Sequence, residues 1–330
     1  MRLSRLIMTL LLGACAVPAP DQPAERIRVI LDTDANNEVD DQHAIAYLLF
    51  NGDVFDVEGI TVNRTRGGGA LDQHVAEAER VLRLTGMFGR VPLFAGASGS
   101  FEEIAPHLGE ADFDGAAAVD FIIERAHAGD PGKLVLLPIG KLTNVALALQ
   151  KDPSIAPRLR VVWLGSNYPE PGEYNQENDE AALNFLLDTE VELEIALVRY
   201  GGPSGTDVVR VTRDEVRTRM ARKGPLVPEA VTGRNGGDFN TFGDYSINLF
   251  ENIELNGDPP SRALYDMAAV AIVKEPSWAE SVRIPAPRLE GGRWIERPTN
   301  PRTILLWENF DRDAIVADLF ARMDRYVLAR

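Results

Sequence analysis

Asp32-Thr33-Asp34-Ala35-Asn36-Asn37-Glu38-Val39-Asp40-Asp41 follows directly on an apolar run at 27–31. Such a run, bounded by polar residues, reads as a buried strand. The segment after it sets Asp32, Asp34, Glu38, Asp40 and Asp41 close together. Like charges held a few ångströms apart cannot all stay ionised unaided. Either some protonate or a cation neutralises them. Hard oxygen donors at this density suit calcium or magnesium rather than zinc or copper.

Working outward, strand-like segments at 57–62, 91–94, 134–138, 159–164 and 193–197 alternate with helix-like segments at 41–50, 73–84, 116–128, 142–149 and 180–187. Val75, Ala78, Val81 and Leu82 share one helical face of the 73–84 segment. Further helices are expected at 211–222, 262–273 and, amphipathic and terminal, 311–328. The alternation specifies βαβ units. The expected fold is α/β, with one open, mostly parallel (mixed) Rossmann-like sheet flanked by helices on both faces. No linker interrupts 26–330, so a single large domain is expected.

Ligands of open α/β sheets bind beyond the carboxyl ends of the strands. The acidic segment follows the first strand there and Asn63 follows the second. Ile139 to Asn144 follow the 134–138 strand; Ser166 and Asn167, then Glu173, Tyr174 and Asn175, follow the 159–164 strand. Alternating donors and acceptors of this kind suit a polyhydroxylated ligand held on a metal. Taken singly, Asn63 and Asn167 read as turn or cap residues, His43 as a packing or solvent-facing residue, and Tyr174 as core. Gly67-Gly68-Gly69 reads as a flexible turn. Phe239, Phe242 and Tyr245 lie in or beside a glycine-rich stretch at 233–243; they either form a lid that stacks on a base or anchor the loop.

Composition narrows the function. A formal net charge of -16 argues against nucleic-acid or anionic-membrane binding. Arg2, Arg5 and a short apolar stretch at 6–12 read as a signal peptide covering 1–14, too short to span a bilayer. Leu12-Gly13-Ala14-Cys15 resembles a bacterial lipoprotein signal, which implies cleavage before Cys15, lipid on its sulfur and a Pro-rich tether over 15–25. Cys15 is the only cysteine, so the domain has neither disulfides nor thiol chemistry. The implied location is the periplasm or cell envelope, with a lipid anchor as the sole membrane contact; Ala16 favours the outer membrane.

The chain resembles the inosine–uridine-preferring nucleoside hydrolases. That family opens with Asp-[Thr/Ser/Cys]-Asp-Pro-Gly-x-Asp-Asp after its first strand. Asp32-Thr33-Asp34 and Asp40-Asp41 match the two halves, across a spacer two residues longer. The 134–149 segment is similar to the family's Gly-x-Leu-Thr-Asn-x-Ala segment. Gly172-Glu173-Tyr174-Asn175 with Glu180-Ala181-Ala182, and Leu264-Tyr265-Asp266, match in family order. The resemblance implies calcium held by Asp34, Asp41, the Ile139 carbonyl and Asp266, with Asp34 as general base on a bound water. It implies Asp40 on a ribose hydroxyl, Asn63, Asn167, Glu173 and Asn175 around the sugar, and Asp32 orienting the loop. Where purine-type members often carry His before the late Asp, this chain has Tyr265, a phenol with a reference pKa near 10, as candidate leaving-group acid. The implied activity is hydrolysis of the N-glycosidic bond of a ribonucleoside or related riboside. Members are commonly dimers or tetramers. The alternative is a calcium-dependent nucleoside- or sugar-binding lipoprotein without turnover.

Overall fold

Val29, Ile30 and Leu31 are fully buried, Ile30 in one apolar layer and Val29 and Leu31 in the other. A strand covered on both faces favours consecutive apolar residues, and the Val29–Leu31 centre of β1 (Ile27–Thr33) accordingly sits between two parallel neighbours, with Arg28 paired to Glu58. The computed structural model describes residues 26–129 and 132–330. The expected signal peptide, tether and Cys15 anchor therefore lie outside the described residues. Among the described residues no helix is long and apolar enough to cross a membrane.

The main sheet comprises β1, β2 (Phe55–Val62), β3 (Leu93–Ala95), β4 (Leu134–Pro138), β5 (Leu159–Leu164), β6 (Glu192–Ala196), β7 (Glu280–Pro285) and β8 (Thr303–Glu308), in the order β7-β8-β6-β5-β4-β1-β2-β3. Every neighbouring pair is parallel except β7 with β8. The chain grows from β1 toward β2 and β3, then returns to β1's other side to build β4, β5 and β6. The strand order thus reverses between β1 and β4, and the crevice outside that reversal is the expected ligand site. The helices that concern the site are α1 (Asp40–Leu49), α2 (Leu71–Leu84), α3 (Ala116–His127), α4 (Thr143–Lys151), α5 (Tyr174–Asn178), α6 (Glu180–Asp188), α7 (Phe242–Glu251), α8 (Tyr265–Lys274) and α9 (Arg312–Asp324).

The α/β class and the parallel core agree with the sequence reading; the starts of two expected helices are corrected, two strands are added, and the alternative left open for the aromatic rings is decided. Residues 210–212 and 261–263 are not helical; they pair as short antiparallel strands ahead of their helices, with Arg262 opposite Val211. Strands β7 and β8 extend the sheet beyond β6. Phe242 and Tyr245 form no lid: both are fully buried in the first two turns of α7. Phe239 packs beside Tyr245 with ring centroids 5.6 Å apart, so these rings anchor the glycine-rich segment.

Candidate active site

Asp40 and Asp41 are the first residues of α1, and Asp266 is the second residue of α8. The two helices pack against each other, which brings carboxylates from opposite ends of the chain together. Oxygen atoms of Asp40, Asp41 and Asp266 lie within 4.8 Å of one another, and all three residues are buried. The positive ends of two helix dipoles offset part of this charge. Burial, then mutual repulsion, still drives the three carboxyls upward: Asp40 to about 7, Asp41 and Asp266 well above the usual carboxylate range. In Asp40 the strongest repulsion comes from Glu38. The donor set consists of carboxylates alone, without thiol or imidazole, and it fits a hard divalent cation. Asp40, expected on a sugar hydroxyl, stands inside this cluster.

Asp34 opens on the same cavity, but its carboxylate is oriented by neighbours. Its Oδ2 accepts from Thr65 Oγ1 and, at 2.5 Å, from Asn37 Nδ2. Burial pushes Asp34 up to about 7. Its Oδ1 lies against Gly140: a Cβ there would sit 2.9 Å from Asp34 Oδ1 and 3.1 Å from the Asn63 amide. Glycine is required at that position by close approach. The lengthened spacer is knitted into the surroundings. Asn36 Nδ2 donates to the Gly68 carbonyl at 2.6 Å, Asn37 holds Asp34, and the Glu38 carbonyl accepts from Arg234 at 2.7 Å. His74 Nδ1 lies 2.8 Å from the Asp34 carbonyl, a contact that no ligand spacing in the sequence announces.

Beneath the cavity, Asp32 accepts from Thr61 Oγ1 at 2.6 Å, Asn144 Nδ2 at 2.7 Å and Asn63 Nδ2 at 3.0 Å. Parallel register explains the first of these, because Asp32 lies opposite Thr61 on β2. Burial raises Asp32 to about 6 while these three donors pull it back down. Asn63 is thus occupied with Asp32; its Oδ1 is a buried acceptor without a partner, and the residue does not line the cavity. Asn167 does not line it either. Its Nδ2 donates to the Gly172 carbonyl at 2.6 Å, and its Oδ1 accepts from the Tyr200 N–H at 3.2 Å.

Glu173 and Asn175 do face the cavity. Glu173 accepts from the backbone N–H groups of Ser166, Asn175 and Gln176 at 2.9, 3.0 and 2.9 Å, capping α5. Ser166 adopts φ 70°, a strained left-handed conformation that turns its N–H toward Glu173. Asn175 Nδ2 bridges the carbonyls of Ile139 at 3.1 Å and Leu164 at 3.2 Å, tying together the ends of β4 and β5. Ile139 lines the cavity, as the ligand set implied by the resemblance requires.

The cavity holds about 260 Å³, near the lower end of the roughly 300–1,000 Å³ usual for small-molecule sites. Its rim is formed by Tyr174, Tyr200, Tyr265, Glu38 and Arg262. Tyr174 corrects the core reading: its hydroxyl accepts from the Gly67 N–H at 2.7 Å while the ring faces the cavity. Tyr265 is also on the rim, but its hydroxyl donates to Asp207 Oδ1 at 2.6 Å. Burial first, then Asp207, raises the phenol well above its ordinary value. Both facts work against its expected role as proton donor. Arg262 pairs with Glu38 and is the cation of the rim. Sequence reasoning missed Arg262, Tyr200 and Thr65. Asn37, inside the acidic segment, carried a signal. His43 packs as expected, buried in α1 with Nε2 2.7 Å from Ser246 Oγ.

An acid-floored cavity at the switch point of a doubly wound sheet defines an α/β enzyme acting on a small polar molecule. The chain belongs to the inosine-uridine preferring nucleoside hydrolase family, whose model matches residues 29–316. Membership of that family makes it a nucleoside hydrolase, an N-glycosidase. The pyrimidine-specific ribonucleoside hydrolase RihB of Escherichia coli is 27% identical over 259 residues, covering 71% of this chain and 75% of that protein. A plant nucleoside hydrolase structure, PpNRh1, superposes with TM-score 0.69 at 19% identity, covering 91% of this chain and 99% of the other. The purine-preferring ribonucleoside hydrolase of Gardnerella vaginalis gives TM-score 0.66 at 21% identity, covering 90% and 98%.

Proposed function

We propose that this chain is a calcium-dependent ribonucleoside hydrolase that releases base and ribose from a ribonucleoside or related riboside. The observation that carries the reading is the meeting of Asp34, Asp40, Asp41 and Asp266 at one cavity, from the end of β1 and the start of α8. Asp41, Asp266, the Ile139 carbonyl and a carboxylate of Asp34 or Asp40 would hold the ion. When bound, calcium supplies a fixed positive charge that binds sugar hydroxyls and acidifies a water. Asp34 takes the proton of the attacking water. Thr65, Asn37 and Gly140 fix its carboxylate, so that attack on the anomeric carbon is positioned rather than diffusional. Glu173 and Asn175 face the sugar, while Asn63 and Asn167 hold the elements beneath and beside it.

RihB is pyrimidine-specific and the Gardnerella vaginalis hydrolase purine-preferring, so the test is a panel of purine and pyrimidine ribosides. Freed ribose is measured with calcium, with chelator and with Asp34→Asn as control. Release that disappears with chelator and with the variant supports the reading. Calcium-dependent nucleoside binding without release from any riboside would overturn it in favour of a binding protein. We further propose export with lipid attachment at Cys15 and assembly into a dimer or tetramer. Incorporation of labelled palmitate, abolished by Cys15→Ser, tests the first; sedimentation of the purified protein tests the second.

A further inference from the structure

We infer that Arg262 is the residue that stabilises the departing base, through its guanidinium as a fixed cation rather than as a proton donor. This rests on the hydrolase reading above and assigns the step that Tyr265 leaves open.

When the glycosidic bond breaks, its electron pair goes to a ring nitrogen of the base. That charge must meet a proton or a cation. Among the described cavity-lining residues there is no histidine, lysine or cysteine, and Arg262 is the single cation. The Tyr265 hydroxyl is already committed to Asp207. The Tyr200 hydroxyl is directed at Glu173, 3.5 Å away. Asp34, Asp40, Asp41 and Asp266 are buried at the floor, where the sugar binds. The side chains of Glu38 and Arg262 stand beside Asp40 and reach partly into solvent, at the mouth of the cavity, where a base entering with its sugar downward comes to rest.

The guanidinium is held in place. Its Nη2 pairs with Glu38, its Nη1 donates to the Glu254 carbonyl at 3.4 Å, and its backbone lies in the short strand Ser261–Ala263. Tyr200 and Tyr265 beside it meet edge to face, with ring centroids 5.8 Å apart, and supply an apolar wall for a planar base. Glu38 belongs to the lengthened spacer, so the extra residues carry the anchor of this arginine. The atoms balance as follows. The water oxygen bonds to the anomeric carbon and one water proton passes to Asp34. The carbon–nitrogen bond breaks toward the base. The base anion leaves paired with the guanidinium, which keeps its protons, and is protonated by solvent. Asp34 then returns its proton to solvent.

The test compares uridine and inosine with p-nitrophenyl β-ribofuranoside, whose nitrophenolate departs without help. Arg262→Gln is expected to lower kcat on both nucleosides about 100-fold, the scale of one lost preorganised donor, and to affect the nitrophenyl riboside far less. Arg262→Lys keeps the charge without the planar fork and is expected to show the same selectivity with a loss of roughly tenfold. It also serves as the folded comparator if the glutamine variant does not fold. Equal losses on all three substrates, or none on the nucleosides, overturn the assignment. A wild-type protein that hydrolyses none of the three overturns the hydrolase reading itself, and this assignment with it.

Discussion

Replacing Asp40 by Asn tests the acidic cage most sharply, because it removes a charge while keeping the shape. Burial, reinforced by Glu38, raises the Asp40 carboxyl from 3.8 to about 7. A carboxyl raised in the folded state stabilises the fold only below its unfolded pKa, and that contribution is lost as pH climbs through the folded value. At about pH 5 the wild-type group is protonated when folded and ionised when unfolded, a cost of about 1.5 kcal/mol. By about pH 8 the full penalty of about 4 kcal/mol applies. The neutral carboxamide of the variant has no such dependence. In chelator, urea denaturation should therefore show Asp40→Asn gaining on wild type by about 2–3 kcal/mol between these two pH values. Calcium at about a thousandfold excess over its dissociation constant should add about 4 kcal/mol to wild type and much less to the variant, erasing or reversing the order. A gap between the two proteins that is independent of pH in chelator would refute the raised Asp40 carboxyl, and equal stabilisation of both by calcium would assign the fourth carboxylate to Asp34.

Asp34→Asn should cut kcat by roughly 10²–10⁴-fold, the range for a lost general base, while the fold is retained; freed ribose and a melting curve check both halves. Tyr265→Phe should cost less than about tenfold in kcat on uridine, since that hydroxyl already serves Asp207; a loss of the general-acid size would restore its role as proton donor. Gly140→Ala should lower activity by displacing Asp34 and Asn63 and should destabilise the fold by about 1–3 kcal/mol. Unchanged kinetics there would mean that the loop yields freely.

Legibility in the sequence followed burial. The β1 segment could be read because both its faces are covered, leaving the apolar Val29-Ile30-Leu31 that ends sharply at Asp32. The Asp40-Asp41 pair was visible because it begins the helix that follows that strand after a short acidic loop. Edge strand β7 was hidden because most of its residues are exposed and carry little apolar signal. Arg262 was hidden because residues 261–263 form a strand only through pairing with residues 210–212, a contact that local periodicity does not contain. Helix α7 was obscured by the glycines before it, although Phe242, Tyr245 and Leu249 keep a helical spacing. Thr65 and Asn144 act through side chains that converge only after the sheet is assembled.

The packing of α1 against α8 has a consequence for how the protein matures. One wall of the cage is synthesised near the start of the domain and the other only after most of it has left the ribosome. Ion capture is then a late event, available to no partial chain that ends before Asp266. A luminescent lanthanide offered during refolding would light up only once the whole tertiary structure has closed, making occupancy a clock for the last step of assembly.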